Sequence, residues 1–178
     1  MIHTEIRPSL DLYTHIEHAK SLKLAADENA KLFYECTKMP LDFEENRIKG
    51  LGLFRSSMLL YAVSIELILK ARALYEEREN IKNGQIKTFQ DFLNKWKGKK
   101  GDGHSYNQII KHYEIDLTIE EKKILEELQQ YTSWAGRFPF PKKEDLIQEY
   151  EKGKDRGSLS LEYIHGIEKI IEKQIEQM

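Results

Sequence analysis

Little in this 178-residue chain cross-links or stiffens it: there is one cysteine, Cys36, and there are four prolines. A lone cysteine excludes an internal disulfide and a cysteine-based zinc site, and it fits a cytosolic protein. Strand signals are nearly absent, because no stretch sustains a two-residue alternation rich in β-branched side chains. Neither sign of charge dominates. Lys and Arg number 28 and Asp and Glu 30, for a formal net charge of -2. No global basic field therefore draws the chain onto nucleic acid or anionic lipid, and any such contact needs a local patch. The opening Met1-Ile2-His3-Thr4-Glu5 lacks the basic flank and apolar stretch of a signal peptide. Glycine-rich phosphate loops, nucleophile elbows and zinc motifs are missing, so no cofactor or metal is expected. Ser56-Ser57-Met58 has no lysine three positions after either serine, as the serine–lysine hydrolases require.

What is present points to helices. Hydrophobic residues make up 40% and charged residues 33%, a globular composition. The length suits one well-buried domain over residues 1–178, and the class expected is all-α, a four- to five-helix bundle. A first helix is predicted over about 9–39, between Pro8 and Pro40, with Ile16, Ala19, Ala26, Ala30, Phe33 and Cys36 on one face. A second runs from about Glu44 to Glu77, loosened early by Gly50 and Gly52. Thr88 caps a short helix carrying Phe89, Phe92, Leu93 and Trp96, and His104 opens another. Thr118 and Glu121 form a capping box for a helix that ends near Gly136. Ser158 or Ser160 starts the last helix, whose stripe includes Ile164, Ile167, Ile171 and Ile175.

The run from Ser56 to Ala71 is apolar nearly all the way round, yet it holds Glu66. Leu51 to Leu74 is long enough to suggest a membrane span. Arg55, Glu66, Lys70 and Arg72 argue instead for a buried helix, since each charge costs a few kcal/mol at bilayer depth. Glu66 has two readings. It is either a surface acid paired with Lys70 one turn on, or a carboxylate aimed into the bundle and bonded to a histidine or arginine.

Two further segments accompany that helix: Gly103-His104-Ser105-Tyr106-Asn107 and Trp134-Ala135-Gly136-Arg137-Phe138-Pro139. His104 is either a structural helix-end histidine or an acid–base group. Arg137 offers a planar fork for phosphate or carboxylate, with Trp134 and Phe138 near enough in sequence to stack on it or on a base. Alternatively the aromatics are core and Arg137 pairs with an acid such as Glu66. Lys95 to Lys100, with Trp96, makes a second basic and aromatic patch, and it includes Lys97, Lys99 and Lys100. Of the other histidines, only His15 and His18 share a helical face, without a supporting carboxylate pattern.

The three segments together resemble the HEPN superfamily of small helical bundles, over roughly residues 45–175. That resemblance implies a HEPN-like bundle that dimerises. It also implies either metal-independent ribonuclease activity in defence or toxin–antitoxin systems, or an inactive binding domain beside a nucleotidyltransferase. Active members carry an arginine followed four to six residues later by a histidine, with a polar residue on an earlier helix. Arg137 matches the arginine and Glu66 the earlier polar residue. The histidine window here holds Pro141, Lys142 and Lys143, and no histidine follows until His165. Lysine is a poor general base near neutrality. The expectation is thus a module that binds RNA or a partner such as an antitoxin through Trp134, Lys142, Lys143, Lys97, Lys99 and Lys100, without the usual cleavage. The alternatives are a ribonuclease using Arg137, Glu66 and His104, and a purely structural interaction domain. The apolar faces of the second and last helices favour a homodimer, and no membrane partner is expected.

Overall fold

A computed structural model describes residues 7–40, 42–98, 101, 103–135, 138, 144, 147–148 and 157–178. A 3-10 turn, Pro8–Leu10, leads into α1 (Leu12–Thr37), where the Asp11 side chain accepts the Thr14 amide at 2.8 Å. α2 spans Glu44–Glu76 and α3 Arg78–Lys82. α4 (Phe89–Leu93) and α6 (Ile119–Gln130) each begin in a full capping box, from Thr88 and Thr118. α5 covers Tyr106–His112, and α7 covers Leu161–Glu176 with Ser160 as its cap. Between α6 and the following segment lies a π turn, Tyr131–Ala135. No strand occurs among the described residues, so the class is all-α.

α1 and α2 form a long antiparallel hairpin. Cys36 donates to the Asn46 carbonyl, Asn29 to Ser56, and the Ser64 hydroxyl to the Ala19 carbonyl. Ala19, Ala26 and Ala30 are buried on α1, and their small side chains let the two backbones approach. α2 is the axis of the molecule. Met58, Tyr61, Ile65, Ile68 and Leu69 have no exposed surface. Burying each contributes about 1.5–3 kcal/mol, which outweighs the roughly 1 kcal/mol that each of Gly50 and Gly52 costs as a helix former. α2 alone, among the described residues, has the length and apolarity to cross a membrane. In this fold it is the core helix, packed against α1, α5, α6 and α7.

Polar ties fasten the outer helices. Lys23 on α1 bridges Asp27 and Glu168 of α7, at 3.0 and 2.9 Å. Lys173 of α7 meets Glu121 of α6 at 2.9 Å, and an Arg72 guanidinium nitrogen donates to the Gln177 carbonyl. Tyr61 donates to Asp27 at 2.7 Å. Burial first, and then that carboxylate, push the Tyr61 phenol far above its ordinary value.

Trp96 is not part of an exposed basic and aromatic patch over Lys95–Lys100. Trp96 is a core residue at 7% exposure, packed edge-on to Phe92 at 4.6 Å and against Tyr113 at 6.0 Å. Lys95 reaches the buried Glu77 at 3.4 Å. The segment's tryptophan is thus committed to the interior, because its neighbours one helical turn away are apolar.

Candidate functional site

Glu66 lies in the middle of α2, buried, with its side chain 7% exposed. Its Oε1 accepts from Lys70 Nζ at 2.7 Å and from His104 Nδ1 at 2.8 Å. Both sequence readings therefore hold in part. The i,i+4 lysine is the partner the surface reading named, but the pair is enclosed, and the histidine arrives from another segment. Lys70 is equally buried and sits 5.9 Å from the centre of the Phe89 ring. A cation and an anion this dry stabilise each other only while both remain. Glu66 is a pure acceptor when ionised, so His104 must present Nδ1–H to it. The ring is thereby held in one tautomer.

His104 precedes α5 by two residues instead of opening it, and it is 56% exposed at the side chain. Gly103 delivers it there. Its φ is +84°, a region that favours glycine, and a Cβ would meet Leu93 Cδ2 at 3.0 Å. Tyr106, two residues on at the first position of α5, is fully buried and donates its hydroxyl to the Ala62 carbonyl at 2.5 Å. Burial, then the Glu66 charge, push its phenol well above the ordinary value, so it stays protonated.

Opposite His104 stands the end of α6. Gln129 accepts the Tyr106 amide at 2.5 Å and donates to the His104 carbonyl at 3.1 Å and to the Thr132 hydroxyl at 2.8 Å. Thr132 returns a bond to the Gln129 carbonyl at 3.1 Å. These contacts shape the π turn, a helix irregularity that is frequent at functional sites. The result is an open concave pocket of about 510 Å³. Leu59 and Val63 of α2 form its apolar wall, and Glu66, His104, Ser105, Gln129, Thr132 and Ser133 supply its polar one.

The fold brings together Glu66 and His104, two of the three residues expected to act. Arg137 lies outside the described residues, as do Lys142, Lys143, Lys99 and Lys100. Trp134 is in the π turn, half-buried, and Lys97 follows α4. His15 and His18 play different parts: His15 is buried, donates Nδ1–H to the Asp11 carbonyl at 3.0 Å and stacks on Phe89, whereas His18 is exposed. Sequence reasoning missed Gln129, Thr132 and Ser133. Nothing marks them in the chain, since polar residues at the end of an amphipathic helix are usually solvated.

A larger cavity of about 620 Å³ lies between the starts of α6 and α7, and a third, mostly apolar, of about 420 Å³ lies near the ends of α2 and α7. Neither contains the Glu66–His104 pair. No protein-family model, curated protein or solved structure matches this chain.

Proposed function

We propose that the chain is a HEPN-like helical module that binds RNA through the pocket beside Glu66 and His104, as a homodimer in a defence or toxin–antitoxin setting. The observation that carries the reading is the 2.8 Å contact between the buried Glu66 carboxylate and an imidazole at the rim of a polar, solvent-open pocket. Glu66 is neutralised by Lys70 from behind, so the pocket presents an oriented imidazole, hydroxyls and an apolar wall. That set suits the polar edges and 2′-hydroxyl of a single-stranded nucleotide. The resemblance of the α2 run, the Gly103-His104 entry and the Trp134–Pro139 segment supports the family assignment. Lys142 in the window where active relatives carry histidine favours binding over cleavage.

The same contact favours one second reading: a metal-independent endoribonuclease with His104 as the acid–base group, Glu66 orienting it and Arg137 on the phosphate. A histidine backed by a carboxylate is the usual arrangement for proton transfer near neutrality.

One experiment separates the two. Fluorescence anisotropy with labelled single-stranded RNA, across a salt series, should give saturable binding that weakens with salt and falls several-fold in His104→Ala. Gel analysis of the same RNA with excess chelator should show it intact. Chelator-resistant cleavage lost in His104→Ala would establish the second reading. Absence of RNA binding by the folded wild-type protein would end both.

A further inference from the structure

Glu66 holds His104 by its ring, but a ring is oriented only if its backbone is fixed as well. α5 begins without a side-chain cap of its own, because the Ser105 hydroxyl makes no cap bond. The first turn of a helix leaves several amides without intrahelical partners. Here the Tyr106 amide is taken by Gln129 Oε1, from a helix 23 residues further along the chain, at 2.5 Å. The same side chain donates Nε2–H to the His104 carbonyl at 3.1 Å and to Thr132 Oγ1 at 2.8 Å. One amide thus satisfies an orphan donor, clamps the carbonyl of the histidine and joins both to the π turn.

We propose that Gln129 is the positioning residue of the pocket: it sets His104 against Glu66 and couples the imidazole to the Thr132–Ser133 wall. This deepens the RNA-binding reading and rests on it for its biological meaning, although its structural core is testable without RNA. Gln129 acts through its neighbours and its amide is already occupied, so it is not itself a ligand-binding group. Geometry also limits what can replace it. A glutamate keeps the acceptor for Tyr106 but loses the Nε2–H donors, and a methionine loses every one of these side-chain bonds at similar volume.

The test uses imidazole ¹H–¹⁵N NMR of the full chain, with Gln129→Met, Gln129→Glu and, as a control on the neighbouring residue, Gln130→Met. In the wild type, His104 should show the Nδ1–H tautomer. In Gln129→Met that bias should collapse toward the mixture of a free imidazole while circular dichroism keeps the wild-type helix content. Gln129→Glu should do the same, and Gln130→Met should leave the spectrum unchanged. RNA dissociation constants should rise at least threefold in the two Gln129 variants. A His104 tautomer pattern in folded Gln129→Met identical to wild type would overturn the proposal. If the variants do not fold, the wild type still decides: slow exchange of the Gln129 side-chain amide protons is expected, and fast exchange refutes the clamp. Loss of tautomer bias with no RNA binding in any variant would keep the clamp and remove the RNA reading.

Discussion

Replacing Lys70 by methionine and Glu66 by leucine, singly and together, measures what the enclosed ion pair contributes. Both side chains are 7% exposed and their charged atoms are 2.7 Å apart. Removing one partner of such a pair leaves a charge out of water and costs about 3–5 kcal/mol, whereas exchanging both for apolar groups is often near neutral. The two single variants are not equivalent. Glu66→Leu strands a lysine with no other carboxylate within salt-bridge distance among the described residues. Lys70→Met leaves Glu66 with its 2.8 Å contact to His104. Glu66→Leu should therefore lie near the top of that range. Lys70→Met should lie near the bottom. The double variant should fall within about 2 kcal/mol of wild type. Urea unfolding reads all of this, with midpoints moving and slopes held. A loss of 3–5 kcal/mol is a large share of the roughly 5–15 kcal/mol available to a domain, so it is readily resolved. If both single variants cost less than about 1 kcal/mol, the pair behaves as a surface salt bridge and the enclosed site does not exist.

Three further outcomes follow from the structure. Gly103→Ala should destabilise by about 1–3 kcal/mol, because it combines a left-handed backbone with a contact to Leu93; thermal melting reads it, and a neutral result would mean the turn relaxes freely. Thr118→Ala removes the hydroxyl half of the α6 capping box and should cost about 1 kcal/mol by chemical denaturation. His15 has its pKa held below the ordinary 6.5, chiefly by burial and also by Lys70 and His18, against opposing contributions from Asp11. The unfolded chain thus takes this proton before the folded one. The stability involved is intact above pH 6.5 and is lost as pH falls below it toward the depressed value. His15→Phe should flatten that part of the stability profile, and an unchanged slope would show that His15 titrates normally.

Much of the architecture is legible without coordinates. Apolar spacing marks α1, α2 and α7, and the capping residues Thr88, Thr118 and Ser160 stand where helices begin. These signals are local, and local chemistry survives in any fold that buries the right face. The errors are also local. α5 starts at Tyr106, two residues after the expected histidine, because Gly103 adopts a positive φ and His104 is spent on a contact across the molecule. Trp96 reads as half of a basic and aromatic patch, yet its position one turn from Phe92 puts it in the core. The site was half visible: a carboxylate in an apolar run signals that something must compensate it, but it does not say what.

By itself, the order of residues determined an all-helical chain, a central helix too apolar to face water, and an acid on that helix in need of partners. Helix periodicity and the cost of stranding a charge act over a few residues, so they can be read from neighbours alone. Only the packing decided that His104, 38 positions away, meets Glu66, and that Gln129 clamps it from a third helix. Those bonds join groups distant in the chain. Their existence depends on how helices are laid against one another, which is set by the sum of many weak apolar contacts and not by any single motif.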